Sequence, residues 1–330
     1  MEEPALVPGH GSGSLEQLLD EEYPRMLMVQ TTSHCNSSCI FCPHHLFRRQ
    51  LPQGEMTQAL FERVLSEAGE HPEVACINLF LMNEPLIDRQ LVDRIQLTRK
   101  LNDRAQISLW TNAVALSPAL GDQLLCSPLS SLGVSLHSHQ PETYCRLTGR
   151  TDFHRILRNV VTFVEQRNAR RPEMTVVLRF VAANNMSPGE QRELVAFWAD
   201  GGVVLDIDQG HLGRAGNLPA PGAPASPHTW MSGCQALGGP KQAHVLFTGQ
   251  VVLCCMDYGR VTSLGDCSRD SLERIWTGPR RRHYLERLYG ARAAEPDFLC
   301  SRCELAIPAC QGGRPARLTA MPDDPLWAAA

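Results

Sequence analysis

Six short apolar, β-prone runs alternate with amphipathic stretches of helical length, and this alternation limits the fold more than any other feature. The pairs run MLMVQTT then EMTQALFERVLSEAG, ACINLFLM then DRQLVDRIQLTRKL, and AQISLWTN then SPALGDQLLCS. They continue with SLGVSLH then FHRILRNVVTFVEQR, and MTVVLRFV then SPGEQRELVAFWAD, and close on VVLDIDQ. Strands separated by helices imply a parallel sheet with right-handed crossovers, and near-continuous apolar strands imply burial on both faces. A (β/α)6 partial barrel and an open doubly wound sheet both satisfy the pattern. Thr57, Ser117-Pro118 and Ser187-Pro188 carry helix-start signals, and Gly201-Gly202 ends the last helix.

Beyond the last strand, GHLGRAGNLPAPGAPAS breaks the periodicity and reads as a linker. The segment from Met231 has little helical pattern apart from SLERIW and PRRRHYLERLYG, yet holds seven of the thirteen cysteines, so it is expected to need metal for its stability. The chain divides into an arm (1–22), the α/β unit (23–215), a linker (216–230), a cysteine-rich domain (231–315) and a tail (316–330). A formal charge of -4 offers no general attraction for a phosphate backbone or an anionic membrane, so neither nucleic acid nor membrane is an expected partner. With no signal-peptide pattern and no apolar run approaching ~18 residues, a soluble, cytoplasmic protein is expected. Cysteines that are odd in number and clustered then point to soft-metal ligation rather than disulfides.

The first cluster, TTSHCNSSCIFCPHH, follows the first strand and sets Cys35, Cys39 and Cys42 at C-x3-C-x2-C spacing. Three thiolates leave one iron of a [4Fe-4S] cube open to an outside ligand. The alternative is a zinc site completed by His34, His44 or His45. Arg48 and Arg49 read as a solvated face or as partners for an anionic group.

The cysteine spacing, Phe41 before the third cysteine and the position after strand one resemble the radical S-adenosylmethionine (SAM) superfamily. The resemblance implies a partial (β/α)6 TIM-like barrel with SAM bound at the open iron. In LFLMNEPL, Asn83-Glu84-Pro85 is similar to the family's Gly-Glu-Pro, with Met82-Asn83 replacing two glycines, and it implies that Glu84 receives the SAM ammonium. It likewise implies cofactor contacts for Asn112 in SLWTNA, Ser135 in SLHSH and Arg179 in VLRFV, the last otherwise a buried ion pair with an unknown partner. His137 is a further substrate-side candidate against the commoner fate of a core histidine, and Asp208 or Arg214 is expected to touch SAM or substrate.

The C-terminal pattern, Cys234, Gly249 and Cys254 followed by a late Cys300-x2-Cys303, resembles a SPASM/twitch extension. That implies an auxiliary [4Fe-4S] cluster with Cys234, Cys254, Cys300 and Cys303 as ligands and Cys310 left over. A four-cysteine zinc ribbon is the competing reading. Cys255 follows Cys254, and neighbours on an extended segment point to opposite sides, so Cys255 is a candidate catalytic hydrogen donor or a small buried hydrophobe. Cys76, Cys126, Cys145 and Cys267 fit no pattern.

The function implied is reductive cleavage of SAM and hydrogen abstraction from an amino sugar, aminocyclitol or related intermediate, ending in epimerisation or dehydrogenation. Peptide modification is the alternative, although the stretch before strand one is too short for a fused leader-recognition domain. An iron-sulfur electron carrier is the non-enzymatic reading. The expected partners are a small-molecule substrate and an external electron donor such as a flavodoxin or ferredoxin.

Overall fold

The computed structural model describes residues 14–181, 186–208, 213–219, 224, 226–236 and 239–309. The strands are β1 (Met26–Val29), β2 (Cys76–Asn78), β3 (Gln106–Thr111), β4 (Ser131–His137), β5 (Thr175–Val181), β6 (Val204–Asp208), β7 (Met231–Cys234), β8 (Gln242–Val245), β9 (Gln250–Val252), β10 (Ser263–Asp266) and β11 (Ala306–Pro308). The helices are α1 (Leu15–Leu19), α2 (His44–Phe47), α3 (Gln58–Glu70), α4 (Leu91–Leu101), α5 (Pro118–Cys126), α6 (Pro141–Thr148), α7 (Phe153–Arg170), α8 (Pro188–Trp198), α9 (Leu272–Trp276) and α10 (Pro279–Leu288). All six expected strands form. The expected caps form too, with Thr57, Ser117 and Ser187 accepting the backbone N–H groups of Leu60, Leu120 and Glu190. Helices α2 and α6 had no periodic signal, being too short to show more than a turn or two of pattern.

Strands β1 to β6 lie side by side in chain order, each parallel to the next. A sheet that advances in one direction through right-handed crossovers keeps its helices on one side. That order selects the partial barrel over the doubly wound sheet, whose strand order reverses.

The cysteine-rich segment does not stand apart as its sequence suggests. Strand β8 pairs parallel with β1, and β9 and β10 continue antiparallel, giving one nine-stranded sheet with β1 in its interior. The main buried cluster runs from Tyr23 to Ala306, and among the described residues β7 and β11 form a separate two-stranded pair. Strands of three and four residues carry too little alternation to announce this in the sequence. Described parts of the expected linker are docked: Asn217 Nδ2 donates to the Met256 carbonyl and the His228 N–H to the Ser301 carbonyl. The arm is docked as well, with Leu18 buried and its carbonyl accepting from Arg281 at 2.7 Å. Residues 1–13, Cys310 and the tail lie outside the described residues.

Gly133 on β4 faces the indole of Trp110 on β3 so closely that a Cβ would overlap the ring. Gly133→Ala must therefore displace Trp110, and overpacking of this kind costs about 1–3 kcal/mol. Urea unfolding should show a lowered midpoint; an unchanged midpoint would mean that the ring moves freely.

Candidate active site

The strand ends meet around one carboxylate. Glu84, after β2, is buried, and its Oε1 accepts from the Thr111 hydroxyl (2.6 Å) and the Leu86 N–H (3.0 Å). Its Oε2 accepts from the Asn112 N–H (2.7 Å), and its own N–H donates to the His34 carbonyl (2.9 Å). Burial raises its pKa to about 7, against the lowering effect of these three donors. Three donors leave one of the carboxylate's four acceptor positions for the expected ammonium contact. Met82 adopts φ 54, so the segment keeps a left-handed backbone where the resembling motif has glycine.

Asn112 extends the brace to the cysteine loop. Its Nδ2 donates to Asn36 Oδ1 (2.8 Å) and Ser37 Oγ (3.1 Å) and stands 3.9 Å from Cys35 Sγ. The histidines of the loop are tied to backbone: His44 Nε2 to the Ser33 carbonyl and His45 Nδ1 to the Cys42 carbonyl, both at 2.8 Å. Burial pushes the Cys35 and Cys39 thiols up to about 12. A thiol so placed stays protonated until a metal takes the proton's position.

On the next strands, Arg179 has a partner, Asp206 on β6, and lies over the Trp110 ring at 4.4 Å. Ser135 stands opposite Arg179 in the β4–β5 register. His137 is buried in a left-handed conformation (φ 63), with Phe41 of the cysteine loop edge-on to its ring at 4.5 Å. Burial, then the charges of Arg179 and Arg214, lowers its pKa to about 3, so it is neutral. Asp208 is paired through its backbone with Val181.

The second group converges on a cavity lined by Cys234, Cys254, Cys300 and Cys303, closed by Ala215 and Met256. Cys255 does not line it. The two cysteines occupy a turn rather than an extended segment, and Cys255 packs instead against Met28, Leu81, Leu246 and Val252, beside the fully buried imidazole of His244.

The radical SAM superfamily profile matches residues 29–177, and the profile of the SPASM iron-sulfur cluster-binding domain matches residues 234–304. The chain carries a radical SAM domain followed by a SPASM iron-sulfur domain. The radical SAM domain implies SAM and a [4Fe-4S] cluster, and the SPASM domain implies auxiliary iron-sulfur ligation. The donor sets fit. The first loop offers three soft thiols and the second cavity four, the donor chemistry that iron-sulfur clusters take.

Curated relatives include a probable GTP 3′,8-cyclase of Thermococcus kodakarensis, 27% identical over 182 residues, 55% of each chain. An S-adenosyl-L-methionine-dependent 2-deoxy-scyllo-inosamine dehydrogenase of Niallia circulans is 28% identical over 87 residues, 26% of this chain and 34% of that one. The chain spans about half the length of the cyclase it matches, and less of the dehydrogenase. Among solved structures, BtrN in complex with AdoMet and 2-DOIA aligns with TM-score 0.56 at 18% identity, covering 85% of this chain and 90% of BtrN. Streptococcus suis SuiB bound to precursor peptide SuiA aligns with TM-score 0.62 at 13% identity, covering 88% and 72%. At such identities these likenesses establish the fold.

Two residues of this site carried no sequence signal: His244, inside β8, and Tyr258, whose hydroxyl reaches the first cysteine loop. The pKa of Glu84 yields a signed test. Because it is raised from 4.5 to about 7, its stabilising protonated form is fully present below about 4.5 and is lost as pH rises through 7. The thermal midpoint between pH 4.5 and 7 should therefore fall more steeply for the wild type than for Glu84→Gln, and parallel slopes would refute the shift.

Proposed function

We propose that this radical SAM enzyme acts on a small polar polyol-type substrate, an amino sugar, aminocyclitol or related intermediate, by epimerisation or dehydrogenation. When bound, the cofactors supply one-electron chemistry: SAM cleaved to methionine and a 5′-deoxyadenosyl radical that removes a hydrogen atom, and an auxiliary site able to take an electron. In this reading Cys35, Cys39 and Cys42 hold the first cluster, and Cys234, Cys254, Cys300 and Cys303 the second. Glu84 and Asn112 hold the first loop in place. Arg179, oriented by Asp206 and Trp110, and Ser135 across from it serve as cofactor contacts on the open strand ends.

The observation that carries the reading is the placement of Cys255. It lies next to cavity-lining Cys254 but outside that cavity and packs, as Met82 does, against the buried group of Met28, Leu81, Leu246 and Val252. In this reading its thiol is the hydrogen donor. Giving its hydrogen atom to a substrate radical restores a C–H bond and completes an epimerisation, after which one electron and one proton must restore the thiol. Where the substrate radical instead loses an electron and a proton, the product is a dehydrogenated substrate.

The aminocyclitol class is supported by the Niallia circulans dehydrogenase and by BtrN, whose length this fold nearly fills. Peptide modification, suggested by SuiB with SuiA, is the second reading; SuiB is matched over 72% of its length. An external one-electron donor and a cytoplasmic setting belong to the proposal, and among the described residues no helix is long and apolar enough to cross a membrane.

Metal analysis tests the ligand assignment. Cys35/Cys39/Cys42→Ala should lower iron from about eight to about four per chain. Zinc at either site would defeat it. The substrate class is tested by anaerobic turnover with amino sugars and aminocyclitols in D2O. An epimerase returns one solvent deuterium through the exchangeable thiol, and Cys255→Ala should abolish that incorporation and leave the radical to stall or to oxidise. Unchanged incorporation excludes Cys255 as donor, and 5′-deoxyadenosine formed only with peptides favours the second reading.

A further inference from the structure

The first cysteine loop is touched from a distant part of the chain. Tyr258, in the turns that follow β9, places its hydroxyl 3.5 Å from Sγ of Cys42, 216 residues away in sequence. Arg214 occupies the same space: its Nε donates to the carbonyl of Phe41 (3.4 Å), the residue before Cys42, and its backbone N–H donates to Glu304 (3.1 Å). Asn217 holds the turn itself, donating from Nδ2 to the Met256 carbonyl at 3.3 Å. A hydroxyl from the cysteine-rich half is thus held against one thiol of the barrel loop, and a guanidinium from the stretch after β6 against the carbonyl beside it.

An iron-bound Cys42 is a thiolate, an acceptor without a proton to give, so the hydroxyl can act toward it only as donor. Hydrogen bonds to a cluster's sulfurs are among the factors that set its potential, because they stabilise the state carrying more negative charge. A nearby cation acts in the same direction. We infer that Tyr258 tunes the first cluster, its hydroxyl donating to the Cys42 thiolate and making that cluster easier to reduce. The turn that presents Cys254 to the second cavity therefore also sets the potential at the first, so the two sites are linked through one short segment. The inference rests on Cys35, Cys39 and Cys42 holding a cluster, as proposed above.

Tyr258→Phe keeps the ring and removes the donor. In the reconstituted holoenzyme without SAM, potentiometric titration followed by electron paramagnetic resonance should show a more negative midpoint for one signal, the signal absent from the Cys35/Cys39/Cys42→Ala variant. Iron content and the other cluster's midpoint should be unchanged. A tenfold weaker reduction equilibrium corresponds to about 59 mV for a one-electron couple. Replacing Tyr258 with a fluorinated tyrosine, a stronger donor of similar shape, should move the midpoint the other way. An unmoved midpoint with full iron overturns the tuning role while leaving the ligand reading intact. Loss of iron with no shift in what remains assigns Tyr258 to packing alone and overturns it too. Absence of the signal from the wild type removes the ligand reading, and this inference with it.

Discussion

A carboxylate without water around it must find donors, and at Glu84 those donors come from the end of β3 and from the turn that follows Glu84 itself. Hydrogen bonds to a charged group are worth about 1.5–3 kcal/mol each, and leaving such a group unpaired costs at least as much. Three separate chain segments are therefore held together at one point: the His34 carbonyl of the first cysteine loop, the turn after β2 and the Thr111-Asn112 end of β3. Asn112 carries the restraint onward to Asn36 and Ser37. The cysteine loop has little secondary structure of its own, so its shape depends on this brace.

A second brace lies on the other side of the loop. Arg94 and Asp88 form a buried ion pair at 3.3 Å, and the same guanidinium donates to the carbonyls of Thr31 and Met56. Breaking such a pair leaves an uncompensated charge in the interior, which is why both partners belong together. The chain leaving β1 is thus held by Arg94 at the Thr31 carbonyl and by the Glu84 N–H at the His34 carbonyl, while β1 itself pairs with β2 and β8. Because β8 belongs to the cysteine-rich half, the position of the first loop and that of the second cavity are set by the same sheet.

Much of this was legible in the residues. The strand–helix alternation announced the parallel sheet, and the Ser and Thr caps stand where they were expected. The first cysteine group was legible in its C-x3-C-x2-C spacing, and the second, spread from Cys234 to Cys303, only through its resemblance to the SPASM/twitch pattern. Arg179 was recognisable as an ion in an apolar strand, but Asp206 as its partner was not, since nothing in either segment encodes the register between β5 and β6. Glu84 was singled out by its motif, yet its bracing role needed Thr111 and Asn112 alongside it. His244 sits within a four-residue strand that reads as neither functional nor structural.

The sequence by itself determined the class of the molecule: a parallel α/β sheet with a thiol loop after the first strand and a second thiol group near the end. Those properties follow from local periodicity and spacing, which act over a few residues. The tertiary structure decided that the sheet runs on through β8 to β10, that Cys255 lies outside the cavity Cys254 lines, and that Tyr258 meets Cys42. Contacts across some two hundred residues arise from how β1 and β8 pair and how one buried core closes around them, and no local pattern carries that information.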